Sequence, residues 1–178
     1  MIRPLLIASA ASLALAACAS EGDMGTTATS GAMAAGDMTP EERDAYVQMA
    51  AASDLFEIQS SQLALTKGQN PEVRSFAQML IDHHTATTQQ LTAAATAAGT
   101  TPNPMLMPMQ AEMISQLQGA NGAEFDRLYL RQQVPAHEMA LALHQNYARD
   151  GDTPGLRTVA SAAVPIIRQH LDRARTLR

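Results

Sequence analysis

Four long stretches of the chain carry apolar residues at helical spacing, and proline or glycine closes off each of them, which leaves little choice of fold. Thr39-Pro40-Glu41-Glu42 reads as a helix start, with Thr39 as N-cap, Pro40 at the first helical position and a glutamate completing a capping box. This helix runs to about Lys67 and stops at Gly68. Asn70-Pro71-Glu72 opens a second by the same logic, and Gly99 ends it ahead of the breakers Pro102 and Pro104. A short apolar-periodic stretch from Met105 to Leu117 leads into a loop at Gly119-Ala120-Asn121-Gly122. A third long helix covers about Ala123 to Arg149 and ends at Gly151; Thr153-Pro154 opens a fourth. Segments of about 25 residues, each about 37 Å long, joined mainly by short loops, predict an all-α antiparallel four-helix bundle over residues 39–178, with a short extra helix between helices 2 and 3. Aromatic residues make up only 3% of the chain, with no Trp, so the helices pack through small and unbranched side chains that lose little entropy on becoming helical.

The N-terminus reads as an address. Arg3 supplies a positive n-region, and Leu5 to Ala17 is an apolar run too short to span a bilayer well. Leu15-Ala16-Ala17-Cys18 resembles a bacterial lipobox, which implies removal of residues 1–17 and lipidation of Cys18, the single cysteine. Ala19 rather than Asp follows, and in lipoproteins of this type that implies sorting to the outer membrane, facing the periplasm. Residues 18–38 are rich in Ser, Thr, Gly and Ala without apolar periodicity, as expected of a disordered tether with a reach of roughly 25 Å. The membrane is thus the expected partner, through lipid alone. A formal charge of −5 argues against nucleic acid, since nothing would displace phosphate counterions. No pattern points to a protein partner.

Each apolar stripe carries a polar residue. Glu57 falls in the stripe of the first helix, His84 in that of the second, His137 and His144 in the third and His170 in the fourth, with Asp126 nearer one end. Counting residues from the turns at Gln69 and Gly151 puts Glu57, His84, His137 and His170 within about 10 Å of one height. Glu57, His84 and His137 come most nearly level, and His170 lies furthest off. A carboxylate on an apolar face needs a cation or donors. Imidazoles and a carboxylate converging in a bundle core suit one zinc, iron or copper ion. A hydrogen-bonded polar layer without metal is the other reading. Pro135 and Pro165 sit shortly before His137 and His170, where each removes a helix hydrogen bond and bends the helix or aims the histidine inward.

Met105-Leu106-Met107-Pro108-Met109, with Met113 beyond, is the second unusual feature. Thioethers are soft ligands suited to Cu(I), while Met109, Met113 and Leu117 also make an ordinary apolar stripe.

The chain resembles the bacterial family known as domain of unknown function 4142, a ferritin-like family associated with the outer membrane. Its landmarks are Glu57 with Leu63-Ala64, Phe76-Ala77 with Leu80-Ile81-Asp82-His83-His84-Thr85, Phe125-Asp126, His137, and Pro165 followed by His170-Leu171 and Ala174. The resemblance spans about Asp44 to Leu177 and implies a ferritin-like helical bundle in the cell envelope, without an established activity. Where the family has Asp-His before Thr, this chain has His83-His84, so the aspartate partner of that histidine is missing from its usual place. No Glu among Glu57, Glu72, Glu112, Glu124 and Glu138 has a His three residues later, which argues against di-iron chemistry. No nucleophile–base set or Gly-rich phosphate loop is present. The expected function is a non-enzymatic envelope lipoprotein for stress tolerance or envelope maintenance, with a Glu/His layer open to a metal ion. The alternatives are a metal-dependent redox enzyme and a periplasmic copper-handling protein.

Overall fold

The proline and glycine punctuation becomes five helices in the computed structural model, which describes residues 40–178. They are α1 (Arg43–Lys67), α2 (Pro71–Ala97), α3 (Pro108–Gly119), α4 (Gly122–Asp150) and α5 (Pro154–Leu177). The expectation of a four-helix, ferritin-like bundle is therefore corrected to a bundle of five. The four long helices form a ring in which α1 packs on α2 and α4, and α5 on α4 and α2, while α3 lies against α1 and α4. Ile114 of α3 is buried with Phe56 of α1 and Ala136 of α4, and the side-chain amide of Gln132 donates to the Met113 carbonyl at 3.2 Å. The third helix thus seals the α1/α4 seam.

Helix ends are set partly by local residues and partly by distant ones. Asn70 caps α2 as expected, its side chain accepting from the Glu72 amide at 2.8 Å. The capping box expected at residues 39–42 is not what starts α1. Thr39 lies outside the described residues, and the helix begins only at Arg43. Its cap comes instead from the α4–α5 loop: Arg43 N donates to Asp152 Oδ2 at 3.1 Å, and Asp152 N donates to the Glu41 carbonyl at 3.0 Å. Asp126 does the same at the opposite end, accepting from Gln69 N at 3.1 Å and Asn70 N at 2.8 Å. Gly68 is required there, because a Cβ would sit 2.6 Å from the Ala64 carbonyl oxygen and 2.9 Å from Asp126 Oδ1. Asp126 is therefore a turn-holding residue.

The interior is not one apolar mass. One cluster gathers Val73, Phe76, Leu80, Phe125, Tyr129 and Leu171; the other gathers Tyr46, Val47, Leu91, Leu143, Tyr147 and Leu156. Between them in sequence, on every long helix, fall the buried polar residues Asp54, Glu57, Ser60, Ser61, His84, Gln133, His137 and His170, while His144 lies within the second cluster between Leu143 and Tyr147. The alternating direction of the helices stacks these segments into a polar layer across the middle. Pro135 and Pro165 both lie inside continuous helices, α4 and α5. Exposed ion pairs join the outside, Arg175 with Glu138 at 2.7 Å and Arg173 with Glu72, and each contributes little in water. Among the described residues no helix is long and apolar enough to cross a membrane. The signal at 1–17, Cys18 and the tether lie outside the described residues.

Candidate metal centre

Three of the four candidate ligands meet. His84 of α2, His137 of α4 and His170 of α5 each offer one ring nitrogen, and these nitrogens lie within 4.8 Å of one another. All three rings are buried, with centroids 5.3 to 5.9 Å apart. A four-coordinate ion with ordinary metal–imidazole bonds holds its ligand atoms about 3.3 Å apart, a distance that small ring rotations supply. The cluster is capable of coordinating a single transition-metal ion.

Hydrogen bonding decides which atoms are free to do so. His84 Nδ1 lies 2.7 Å from Asp54 Oδ1, so that nitrogen carries the proton and Nε2 keeps its lone pair. His137 Nδ1 lies 2.9 Å from the Gln133 carbonyl oxygen, which can only accept, so Nε2 is again the free atom. His170 Nε2 lies 2.8 Å from His83 Nδ1, and with Nε2–H as the donor of that bond the lone pair of its own Nδ1 is left. The nitrogens left over, His84 Nε2, His137 Nε2 and His170 Nδ1, are all buried without a partner. The side-chain oxygens of Gln132 and Gln133 are also buried without a partner, but only these three atoms lie together on neighbouring imidazoles, where they form a ready set of donors. The arrangement of a ligating imidazole anchored through its second nitrogen by a carboxylate or carbonyl is how metal-binding histidines are oriented.

Glu57 stands beside this set rather than in it. Its Oε1 is 3.6 Å from His137 Nδ1, a nitrogen already committed to Gln133, and its Oε2 is buried without a partner. A buried carboxylate left half-unsatisfied adds negative potential next to the three nitrogens, which favours a cation there. Asp54, in contrast, is fully engaged: besides His84 it accepts from the Thr87 hydroxyl at 3.1 Å and the Thr88 hydroxyl at 3.0 Å.

The rings differ electrostatically. Burial opposes charge on His84, but the hydrogen bond and charge of Asp54, with Glu57 behind, outweigh it and hold its pKa above the ordinary imidazole value. Burial lowers His137, against the pull of Glu57. His170 falls to about 2, through burial first and then the three neighbouring imidazoles. His137 and His170 are therefore neutral at physiological pH, the state in which imidazole binds metal.

The space beside these rings is small. A cavity of about 20 Å³ is lined by residues including Asp54, His83, His84, Thr87 and His170. That cavity, which His137 does not line, is too small for an organic substrate.

Residue patterns alone did not point to Asp54, His83 as the partner of His170, or Gln133. The signals were present: Asp54 lies one helical turn before Glu57 on the same face, and Thr87-Thr88 lies one turn after His84. Asp54 supplies from α1 the carboxylate that the segment before His84 lacks. Met105, Met107 and Met109 do not converge as one group; Met107 and Met109 line a groove together, and Met105 is 70% exposed outside it.

A helical bundle with three buried histidines, each anchored from behind, defines a bundle protein built around a candidate transition-metal centre. Residues 27–177 match the family model for DUF4142, described as a domain of unknown function, and the chain belongs to that family. Two kinds of solved structure share its fold. The DUF305 fragment from Deinococcus radiodurans is 20% identical, with a TM-score of 0.67 over 79% of this chain and 96% of that one. CopM in its Cu(II)-bound form is 19% identical, with a TM-score of 0.65 over 76% of this chain and 94% of that one. CopM co-crystallised in its Ag-bound form gives 0.63 at 19% identity, over 76% and 93% of the two chains. At these identities the likeness is one of fold, and it replaces the ferritin-like expectation. No curated protein matches the chain.

Proposed function

We propose that this protein binds copper in the bacterial cell envelope, holding one ion at His84, His137 and His170 with Glu57 as the adjacent counter-charge. The observation that carries the reading is the trio of buried ring nitrogens without partners, each on a ring oriented through its other nitrogen. Imidazole donors suit zinc, iron and copper alike. Copper is preferred because the bundles this chain resembles include CopM, solved with Cu(II), Cu(I) and Ag. The cavity beside His84 and His170 is too small for an organic substrate, which favours binding and release over turnover. Envelope location is supported by the signal-like residues 1–17, and attachment to the outer membrane through lipid on Cys18 by the Leu15-Ala16-Ala17-Cys18 sequence.

The test is elemental analysis of the full chain, exported through its own signal and purified in mild detergent without chelator or affinity tag. About one copper per chain, retained in competition with equimolar zinc and lost in His84→Ala, is the expected result. Zinc in its place would correct the metal, and a metal-free, folded wild type would end the proposal.

A further inference from the structure

Seven methionines lie among the described residues, and five of them, Met49, Met107, Met109, Met113 and Met139, line one groove of about 160 Å³. They come from three places: Met49 from α1, Met139 from α4, and the others from α3 and its N-cap. Their burial is wrong for core filling. Met107 is 37% exposed, Met109 51% and Met139 46%, so three flexible apolar side chains stand in water around one depression. Methionine in a packing role fills gaps in an interior, as Met79 does against the α2/α4 core. Exposed methionines gathered from separate elements gain little from packing and keep their sulfur lone pairs accessible.

The remaining donors at the groove narrow what those sulfurs would take. Its polar side chains are Ser53 and Gln110, and no charged residue lines it. Without carboxylates the groove has nothing for a hard divalent cation, and without histidine it lacks the borderline donors zinc prefers. Neutral thioethers match a soft, singly charged d¹⁰ ion, which needs no anionic ligand to offset its desolvation. Ser53 and Ala140 line both this groove and the small cavity beside His84 and His170, so one layer of side chains separates the two.

We infer that the groove between α1, α3 and α4 is a second metal site, a thioether site for Cu(I). It goes beyond the histidine centre, uses none of its atoms, and stands or falls independently of it. The probe is Ag(I), an air-stable ion of the same charge and softness, titrated as nitrate without chloride or thiols into the full chain carrying ¹³C at the methionine methyls. The expected result is a saturable shift of the five groove methyls, with Met79 and Met105 unmoved and the pattern unchanged in His137→Ala. Replacing Met107, Met109 and Met139 together by Leu keeps the apolar bulk and should weaken Ag(I) binding at least about tenfold. Circular dichroism melting of that variant verifies that it is folded. The proposal is overturned if the groove methyls stay still, if Met79 and Met105 shift equally, or if the folded triple variant binds Ag(I) as the wild type does.

Discussion

His137 and His144 sit two turns apart on the same face of α4, both buried, and nothing in their spacing separates them. Their surroundings do. His144 Nδ1 pairs with the Tyr46 hydroxyl at 3.0 Å, and Tyr46 in turn stacks on Tyr147 with ring centroids 3.7 Å apart. His137 has one nitrogen tied to a main-chain carbonyl and the other facing two more imidazoles with no partner at all. The first is a polar residue absorbed into an aromatic cluster; the second belongs to a set that is incomplete as protein alone. Burial of a histidine thus says little about its purpose. What distinguishes a ligand is the atom left over after its neighbours have been satisfied.

The contrast breaks first, and most sharply, on metal content. Substituting His137 by Ala should take bound copper from about one per chain to none, while His144→Gln should leave it unchanged. Elemental analysis of both variants beside the wild type reads the difference, and loss of metal in His144→Gln would erase the distinction. Asp54→Ala extends the test to the residue that anchors His84. It leaves the buried His84 Nδ1 proton without an acceptor, while the Thr87 and Thr88 hydroxyls keep the His84 carbonyl, so a loss of roughly 2 kcal/mol in urea unfolding is expected. Copper affinity should fall by about 10- to 100-fold, as for other residues that orient a ligand.

How far these arrangements were legible in the sequence follows from the range of the forces that make them. The four long helices could be read because caps, glycines and apolar periodicity act within a few residues. The packing of α3 could not, since it depends on Ile114 meeting Phe56 and Ala136 from two other helices. For the same reason helix count and loop length could not separate a ferritin-like arrangement from the present one. Counting residues from the turns found the polar layer but not how its members are arranged within it. It compared offsets from the Gln69 and Gly151 turns as if both lay at one end, whereas Asp126 at the start of α4 holds the first turn and Asp152 ties the second to the start of α1, so the two turns lie at opposite ends of the bundle. Glu57 was well placed in height yet stands beside the nitrogens, since height says nothing of how a side chain turns. Spacing from Glu57 puts Asp54 on the buried face of α1, but its pairing with His84 spans α1 and α2 and could not be read from either segment.

The same comparison sharpens with pH. Burial lowers His144 to about 4, outweighing the Asp54 charge, so its folded pKa lies below the ordinary imidazole value of about 6.5. Between those two values the unfolded chain binds more protons at this residue than the folded one. Its contribution to stability is therefore complete above about pH 6.5 and is lost as pH falls toward 4, on the order of 3 kcal/mol in all. The other lowered histidines act in the same sense, so the difference between wild type and His144→Gln isolates this one. Urea unfolding of the metal-free proteins at pH 7 and pH 4.5 should show the wild type losing more stability than the variant. Equal losses would mean that His144 is hydrated in the folded state.

The smallest effect separates the aromatic cluster from the metal layer at a single atom. Tyr46→Phe keeps the ring, its stacking on Tyr147 and its edge-on contact with His144, and removes only the hydroxyl that pairs with Nδ1. The loss should be about 1 kcal/mol, that of one buried neutral hydrogen bond, because the deserted nitrogen belongs to an uncharged ring. Copper content should not move, since Tyr46 touches His144 and none of the three ligands. If Tyr46→Phe instead weakened copper binding, the two polar regions would be coupled. The route would run through Asp54, whose charge bears on Tyr46 and His144 and whose carboxylate holds His84. A double-mutant cycle of Tyr46→Phe with Asp54→Asn would then read that coupling as its departure from additivity.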